Sequence, residues 1–572
     1  MCLYGITSRI RGFDPVKAGD VASGDAISKV YEGLLQYSYL VRPYRLEPCL
    51  ASAMPDISED GLIYTFKIRD DIYFQDDPCF KDTDGKGRKL VAEDFVYSIK
   101  RVADIKSRST GYWAFNNRIV GLDEFREASA GDSQVDYSLP VSGLVALDDR
   151  TLQITLSRPY PQLLWILAMH YAFAVPREAV EFYGQDFLNH PVGTGPYILK
   201  SWRRNYRVEF VRNPKWEETG RVELYPSEGE PADYESGLLD DAGKAIPFID
   251  RVVQYVIDDV SIQWLKFISG ELESSGISRD DWDAVVTQNN DITEELKNKG
   301  IRLYTTESLN VFYIGFNMTD PIVGSNKKLR QALTCAFNSE ELIKFYNHRV
   351  VRAKGPIPPA VAGYSDKPAK YPYNPELAAR LLAEAGYPEG IDRNTGKRLQ
   401  LTLEIGGADA STREFMELLS GFFRKLGVIV NPGYNNWPSF LDKLSRNQCQ
   451  MFQLGWVADY PDAENFLQLF YGPNSSPGPN HSVYKNTEVD ELYERVRVMK
   501  DSAERTELYK QMAELVIEDC PWIFMYTPMA YGLHHSWVQN YKPHDFPYGM
   551  LKYRKIDVER RSNWKKRNHS VD

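Results

Sequence analysis

Residues 401–426 read LTLEIGGADASTREFMELLSGFFRKL, and this stretch decides the fold class. We predict a strand over residues 401–405 and a helix over residues 415–426. A strand followed by a helix is the order found in α/β layers, where helices cover the face of a sheet. The sequence therefore predicts an α/β fold.

Capping residues and apolar spacing predict two helices on the amino-terminal side of this stretch. Asn374 suits the N-cap of one helix, Pro375 suits its first position, and Gly386 ends it. Residues 92–103 form the other helix, whose apolar face consists of Phe95, Val96, Ile99 and Val102.

Two glycine-containing segments predict a helix end and a turn. Residues 28–37 are expected to be helical, with Gly33 ending the helix. Residues 191–197, PVGTGPY, predict a tight turn into a strand over residues 198–202.

The composition is that of a large globular protein and excludes several other classes. The 572 residues carry a formal net charge of −11, with 43% hydrophobic and 26% charged residues. No basic stripe occurs apart from the end of the chain, so a nucleic-acid partner is not expected. There is no run of about eighteen apolar residues to span a membrane. No basic-then-apolar secretion signal opens the chain.

Residues 455–466, GWVADYPDAENF, place an aromatic ring and a carboxylate three residues apart in a segment broken by glycine and proline. The indole of Trp456 offers a flat apolar wall, and a cation can also sit over its face. The carboxylate of Asp459 needs a cation if it lies in a water-poor cleft. This pair predicts a site for a ligand with a positive end and an apolar body. A strand end with a surface aspartate is the alternative interpretation.

Patterns typical of catalysis and metal binding are missing from the sequence. It contains no H-E-x-x-H motif, no P-loop lysine motif and no GxSxG elbow. The six cysteines have no C-x-x-C spacing, although Cys49 and Cys79 could pair if their strands are neighbours. We therefore expect no enzyme, no catalytic residue, no metal site and no cofactor.

Six motifs follow one another along the chain. They are YEGLL (31–35), YTFKIRDDIYF (64–74), AEDF with the following serine (92–98), PVGTGPY (191–197), FN with LRQAL (316–333) and AEAGY (383–387). In this order they resemble the extracellular solute-binding protein family of peptide and nickel importers, over about residues 12–550. The ordered series of matches, more than any single motif, makes the resemblance specific.

The resemblance implies a two-lobe, type II periplasmic-binding-protein-like fold with an extra subdomain inserted in the first lobe. It assigns residues 1–47, 188–257 and 527–572 to lobe I, residues 48–187 to the inserted subdomain and residues 258–526 to lobe II. Two crossing strands would join the lobes. A cleft between such lobes can close on a ligand by hinge rotation.

The resemblance also implies the ligand and the residues that hold it. Peptide binders of this family receive the α-ammonium of a short peptide on a cleft aspartate, and Asp459 is the matching position. Gly455 and Val457 flank Trp456 on an expected extended edge, where their backbone groups can pair with the peptide backbone. The other expected ligand contacts are Trp437, similar to the family's other pocket tryptophan, Glu32 and Leu34 from the opposing lobe, and Tyr112 and Trp113 from the inserted subdomain.

We predict from this resemblance the substrate-binding component of an ABC importer that delivers short peptides to permease subunits in the membrane. We expect a monomer in the periplasm or cell envelope, with its signal sequence not present in this chain. Nickel chelates and oligosaccharides are carried by the same fold and are the alternative cargoes. An intracellular enzyme is the alternative from another class.

Overall fold

The chain forms two compact units in a computed structural model that describes residues 1–6, 9–131, 135–257, 259–277, 281–287 and 290–568. Unit 1 comprises Met1–Thr305 and Tyr531–Asp572, and unit 2 comprises Thr306–Ala530. The described residues between 258 and 305, which we expected in lobe II, belong to unit 1. Residues 527–530, which we expected in lobe I, belong to unit 2. The inserted subdomain over residues 48–187 stays a prediction.

Short strands and helices alternate along most of the described chain. The strands are β1 (Cys2–Ile6), β2 (Leu35–Tyr37), β3 (Leu46–Pro48), β4 (Asp56–Ile57), β5 (Ile63–Lys67), β6 (Leu144–Asp148), β7 (Thr151–Thr155), β8 (Tyr197–Arg203), β9 (Arg207–Arg212), β10 (Glu223–Leu224), β11 (Ala245–Ile246), β12 (Arg251–Val256), β13 (Ser274–Ser275), β14 (Ile301–Glu307), β15 (Asn310–Phe316), β16 (Val350–Arg352), β17 (Gln400–Gly406), β18 (Ile429–Asn435), β19 (Met451–Val457), β20 (Trp522–His535), β21 (Val538–Gln539) and β22 (Lys555–Ile556).

The α-helices are four to 17 residues long. They are α1 (Val21–Ile27), α2 (Ala92–Ala103), α3 (Leu122–Ala128), α4 (Leu163–Ile166), α5 (Arg177–Tyr183), α6 (Pro214–Glu218), α7 (Pro231–Glu235), α8 (Val260–Ile268), α9 (Trp282–Val285), α10 (Glu294–Asn298), α11 (Lys327–Ala336), α12 (Ser339–Phe345), α13 (Pro375–Glu384), α14 (Ala410–Arg424), α15 (Trp437–Ser445), α16 (Glu464–Leu467), α17 (Thr487–Val496), α18 (Ala503–Asp519) and α19 (Val558–Asn568). Within the described residues, none of these helices combines the length and the apolar character that crossing a membrane requires.

Unit 1 contains two four-stranded sheets. In the first, β1, β12, β9 and β8 are neighbours in that order, with β1 parallel to β12 and the other pairs antiparallel. In the second, β4, β5, β7 and β6 are neighbours, and every pair is antiparallel. Phe66 and Leu152 face each other across β5 and β7 and are both buried, so one face of this sheet forms a core.

Unit 2 is built on a mixed sheet. Strands β20, β15, β19, β17 and β18 are neighbours in that order, and β16 pairs with β20. β15 is antiparallel to β19 and β20, whereas β17 is parallel to both β18 and β19. Residues of α11, α13, α14 and the strands share one buried core that includes Leu333, Leu382, Leu403 and Met416. Helices packed on a sheet confirm the predicted α/β class.

Two helices predicted from caps and apolar spacing form as expected. α2 covers the predicted residues 92–103, and all four residues of its predicted apolar face are buried. Asp94 accepts a hydrogen bond from the Val91 amide at 2.9 Å and pairs with Arg88 at 2.7 Å, which fixes the first turn. At α13 the side chain of Asn374 accepts a hydrogen bond from the Leu377 amide at 2.9 Å, as an N-cap does.

The predicted helix over residues 28–37 is wrong. α1 ends at Ile27, before this segment, and residues 35–37 form β2. The backbone between them bonds to a distant part of the chain. The carbonyls of Gly33 and Leu34 accept hydrogen bonds from the amides of Leu50 and Cys49, at 3.1 and 3.0 Å. Tertiary pairing therefore overrides a local helical preference here.

The PVGTGPY turn lies against the backbone that follows α1. The Gly195 amide donates to the Val30 carbonyl at 2.8 Å, and the Tyr197 amide donates to the Lys29 carbonyl at 3.0 Å. A Cβ atom at Gly193 would lie 2.0 Å from the Val30 carbonyl oxygen, and one at Gly195 would lie 2.6 Å from it. Both positions need glycine, because backbone cannot rotate aside as a side chain can.

Replacing Gly193 by alanine tests this close approach. We expect Gly193→Ala to lower the free energy of unfolding by about 3 kcal/mol, because the methyl group overlaps the Val30 carbonyl. Gly421→Ala is the matched control. Gly421 lies inside α14, and a Cβ there would meet no other part of the protein within 4 Å. This control should gain about 0.5–1 kcal/mol from helix propensity. Urea denaturation measures both, and equal stabilities would contradict the close approach.

Candidate ligand-binding site

Strand β19 has a neighbour on both edges only where it begins. β15 pairs with the strand along its whole length, from Met451 to Val457. β17, on the other edge, pairs only with Met451 and Phe452. In the described part of the chain no strand pairing continues on that edge past Phe452. We call this open side of residues 453–457 the outer edge of β19.

The backbone groups of Gly455 and Val457 face the outer edge. The Gln450 carbonyl accepts a hydrogen bond from the Asn317 amide, and the Ala458 amide donates to the residue before β15, both at 3.0 Å. Even-numbered positions therefore bond toward β15. Because successive residues of an antiparallel strand alternate in direction, the odd-numbered positions present their amide and carbonyl groups to the other side.

The side chains of the same strand leave the outer edge accessible. A Cβ atom at Gly455 would lie 2.5 Å from the ring of Phe312, so glycine is needed for the ring to pack beneath the strand. Val457 is 61% exposed. Trp456 is half-buried, and its side chain projects from the opposite face of the strand from those of its two neighbours.

Asn465 connects Trp456 to Asp459. The Oδ1 atom of this buried asparagine accepts hydrogen bonds from the Trp456 indole at 3.0 Å and from the Asp459 amide at 3.1 Å. Its Nδ2 atom donates to the Asp459 carboxylate at 3.0 Å. One amide group thus holds the ring and the carboxylate that the sequence analysis paired. Sequence reasoning missed this role, because an asparagine among acidic residues after a proline gives no distinct signal.

The two acidic residues that follow Asp459 have structural partners. Asp462 forms a buried ion pair with Arg505 at 2.8 Å. Glu464 accepts hydrogen bonds from the hydroxyls of Tyr460, at 2.8 Å, and Tyr493. Since both carboxylates are buried, these bonds offset their desolvation and fix the turn that carries Asp459.

Trp437 lies at the carboxyl end of the parallel strands of unit 2. It is the first residue of α15, whose cap is Asn436, and its side chain is 53% exposed. Its ring covers Gly406, where a Cβ atom would lie 2.6 Å from the indole. Gly406 ends β17, the strand beside which the outer edge of β19 opens. Ligands of α/β sheets bind beyond the carboxyl ends of such strands.

Glu32 and Leu34, in unit 1, are buried. The Glu32 carboxylate pairs with the Arg221 guanidinium at 2.7 and 2.9 Å, and it accepts a hydrogen bond from the Thr194 hydroxyl at 2.8 Å. Burial alone would lower the pKa of Arg221, but the adjoining carboxylate outweighs this effect and the pKa is raised. Both oxygens of Glu32 are therefore engaged within unit 1, and its ligand contact stays a prediction without geometric support.

Tyr112 and Trp113, also in unit 1, lie on one short 3-10 helix. The Tyr112 hydroxyl bonds to Asp123, and the Arg126 guanidinium lies 4.0 Å from the centre of its ring. Trp113 is 41% exposed and meets the ring of Tyr171 edge-on. Of this pair, Trp113 is the more exposed residue.

The thiols and metal-ligating side chains form no further site in the described residues. All six cysteines are buried and reduced, so Cys49 and Cys79 do not form a disulfide. Across the described ranges, no group of three or more His, Cys, Asp or Glu side chains could hold a metal ion.

Comparison with known proteins identifies the family. Residues 45–478 match the family described as bacterial extracellular solute-binding proteins, family 5 Middle. This match covers most of the chain, and the chain therefore belongs to that family.

Relatives and solved structures match nearly the whole chain. Heme-binding protein A of Haemophilus influenzae is 26% identical over 534 residues, covering 91% of this chain and 85% of the relative. The dipeptide-binding protein of Escherichia coli is 27% identical over 520 residues, covering 89% and 85%. The ABC transporter-associated periplasmic binding protein DppA from Helicobacter pylori, solved with the peptide STSA, has a TM-score of 0.70 at 22% identity, covering 97% and 98%. This structural likeness confirms the predicted type II periplasmic-binding-protein fold.

The buried ion pair of Glu32 gives a test of its structural role. Glu32→Gln should lower the free energy of unfolding by about 3 kcal/mol, because it removes the charge of the carboxylate that is bonded directly to the buried Arg221 guanidinium. Glu417→Gln is the control, since Glu417 forms an exposed pair with Arg424 at 3.0 Å. Loss of that pair should change stability by less than about 1 kcal/mol. Urea denaturation compares the two, and a Glu32 variant as stable as the control would contradict the structural role.

Proposed function

We propose that this protein captures short peptides and delivers them to the permease of an ABC importer, without catalysing a reaction. The observation that carries the proposal is the outer edge of β19, with Trp437 beside it and Asp459 just after its end. Membership of a solute-binding family supports it. So does the similarity to a dipeptide-binding protein.

The peptide backbone would add to the sheet at the outer edge. Gly455 and Val457 each present an amide and a carbonyl there, at the spacing of alternate residues in an extended chain. An added strand bonds through its main chain, so it can be held whatever its side chains are. This mode of binding suits a protein that must accept many peptide sequences.

Asp459 would receive the free α-ammonium of the peptide. It is half-buried, and its carboxylate accepts a hydrogen bond from the Asn465 amide at 3.0 Å. A partly desolvated carboxylate gains from a cationic ligand group, and a charged hydrogen bond contributes about 1.5–3 kcal/mol. Its neighbours Asp462 and Glu464 are engaged with buried partners and are not assigned this role.

The tryptophans would provide walls for peptide side chains. Trp437 is exposed over the end of β17, and Trp456 is held by Asn465. Large aromatic faces discriminate weakly among apolar groups, because one methylene changes binding by only about 1–3 kcal/mol. We therefore include Trp437 and Trp456 in the binding site and expect broad side-chain selectivity. Trp113 stays a candidate contact from unit 1.

The protein would act as a monomer in the periplasm or at the cell envelope. The extracellular family supports this location, and the proposed partners are the membrane subunits of the importer. The proposal includes no nucleic acid, metal or cofactor.

Heme is a second candidate cargo, because heme-binding protein A is similar over nearly the whole chain. Its propionate groups are anionic, however, and would be repelled by a carboxylate at the position of Asp459. A free ammonium group fits that position better. Isothermal titration calorimetry with hemin, compared with that of a peptide, distinguishes the two cargoes.

Removing the charge of either partner tests the ammonium site. Asp459→Asn keeps the shape of the side chain and should weaken binding of tri-alanine tenfold to a hundredfold, equivalent to about 1.5–3 kcal/mol. N-acetyl-tri-alanine should bind the unmodified protein weakly for the same reason, and it should lose little further affinity in the variant. Isothermal titration calorimetry measures all four combinations.

The control for these four titrations is the Asp442→Asn variant. Asp442 is an exposed residue of α15 that pairs with Arg446 at 3.0 Å, so the variant removes the same charge away from the site. Its affinity for tri-alanine should match that of the unmodified protein. Equal binding of the free and acetylated peptides to the unmodified protein would refute the role of Asp459.

A further inference from the structure

Helix α8 of unit 1 exposes apolar side chains to solvent. Ile262 and Leu265 are 47% and 66% exposed, and they lie side by side because residues three apart are neighbours on a helix surface. The opposite side of α8 holds the helix on unit 1, where Gln263 and Phe267 are buried. Adjoining apolar side chains on an exposed helix face are typical of a surface that contacts a protein or a membrane.

Helix α19 is basic, although the protein as a whole is acidic. Its eleven residues carry five cationic side chains and one carboxylate, a formal charge of +4, whereas the chain carries −11. The cations of its first turn bind unit 1. Arg561 pairs with the buried Glu273 carboxylate at 2.6 Å, and Arg560 donates to the Ser536 carbonyl at 2.9 Å. Further along the helix Lys566 is exposed, so this end of α19 presents positive charge to solvent.

Contacts at the end of α8 bring the two helices together. A Cβ atom at Gly270, two residues after α8, would lie 2.5 Å from the Trp564 ring of α19. The Trp564 indole also donates to the Lys299 carbonyl at 2.6 Å, and its ring centre lies 5.1 Å from that of Trp537. Trp564 therefore fixes α19 against unit 1 beside the end of α8.

Two lysines extend the apolar face of α8 toward α19. Lys266 follows Leu265 and lies one helical turn after Ile262, on the same face. Its ammonium donates to the Glu271 carboxylate at 2.6 Å and lowers the pKa of that group, and the charge of Lys565 lowers this pKa further. Lys266 of α8 and Lys565 of α19 therefore lie near the same carboxylate, next to the exposed apolar side chains.

Apolar side chains bordered by lysines suit a bilayer that contains anionic lipids. The apolar groups enter the boundary between head groups and acyl chains, and the ammonium groups stay among the phosphates. Protein interfaces, in contrast, are depleted of lysine. A nucleic acid would contact the cations and leave the apolar face unused. A lipid surface therefore accounts for both features.

We propose that Ile262, Leu265, Lys266, Lys565 and Lys566, the α8–α19 surface, bind the face of a bilayer that contains anionic phospholipids. All five residues belong to unit 1. Few apolar side chains take part, so the binding is peripheral and reversible. The inference goes beyond the proposed function and does not depend on the cargo. A protein held in this way stays at the membrane in which the permease subunits of an importer lie.

Sedimentation with lipid vesicles tests the α8–α19 surface. At low salt, the unmodified protein should bind vesicles of phosphatidylcholine and phosphatidylglycerol, mixed about two to one, at least about tenfold more tightly than vesicles of phosphatidylcholine alone. Raising the salt to about 0.5 M should remove most of this preference, because screening shortens the reach of the lysine charges.

Two variants remove the lysines and the apolar contact separately. The double variant Lys565→Gln, Lys566→Gln should bind the anionic vesicles at least about tenfold more weakly than the unmodified protein. Leu265→Ser should weaken this binding about threefold to tenfold, because it removes apolar area that enters the bilayer.

Matched controls make the same changes elsewhere on the surface. Arg424→Gln with Lys425→Gln removes two adjacent, exposed cations at the end of α14, and Leu147→Ser removes an exposed leucine from β6. Both controls should bind the anionic vesicles as tightly as the unmodified protein does. Thermal unfolding of each variant establishes that it is folded.

The outcomes distinguish this inference from the proposed function. Equal binding to anionic and neutral vesicles, or binding to neither, would overturn the α8–α19 surface and leave peptide binding intact. An equal loss in the α14 control and in the Lys565, Lys566 variant would also overturn it, since the effect would then follow total charge alone. Tri-alanine should bind this variant and the unmodified protein with the same affinity. Failure of both to bind peptides, with vesicle binding preserved, would refute the proposed function alone.

Discussion

The early end of the pairing between β17 and β19 is the constraint on which the binding site depends. β17 meets β19 at Met451 and Phe452 and pairs with β18 along its whole length. From Gln453 to Val457, the backbone amide and carbonyl groups on the outer edge of β19 do not pair with another strand of the sheet. An open edge invites pairing with another chain, and proteins normally protect such edges. Here the edge is short and lies beside an exposed tryptophan, as expected of a surface that receives a ligand.

The buried polar groups near this edge orient side chains of the proposed site, whereas those around Glu32 in unit 1 stabilise the fold. The Asn465 side chain bonds to both Trp456 and Asp459, which orients the ring and the carboxylate before a ligand arrives. Such preorganisation lowers the entropy lost on binding. In unit 1, the Glu32–Arg221 pair joins the segment after α1 to residues far along the chain. That pair fixes the fold, whereas the Asn465 network fixes a site.

Local signals allowed much of the fold to be predicted from the sequence. The boundaries of α2 and the cap of α13 followed from spacing and from Asn374, because both depend on neighbouring residues. The glycines of PVGTGPY were recognised as a turn, although their reason, the contact with Val30, needed the structure. The prediction of a helix over residues 28–37 was wrong because Gly33 and Leu34 bond to a distant segment.

The sequence also paired Trp456 with Asp459, but it could not show the Asn465 link between them. It gave no sign that Arg221 pairs with Glu32, since that contact joins residues 189 positions apart.

Amide hydrogen exchange at the outer edge of β19 tests the central claim most directly. Exchange is followed by mass spectrometry at single-residue resolution, with and without saturating tri-alanine. The amides of Gly455 and Val457 should exchange at least about tenfold more slowly with the peptide bound, because they then donate to its backbone. Those of Leu454 and Trp456, which face β15, should change less. Unchanged exchange at Gly455 and Val457, with peptide binding demonstrated by calorimetry, would contradict strand addition at this edge.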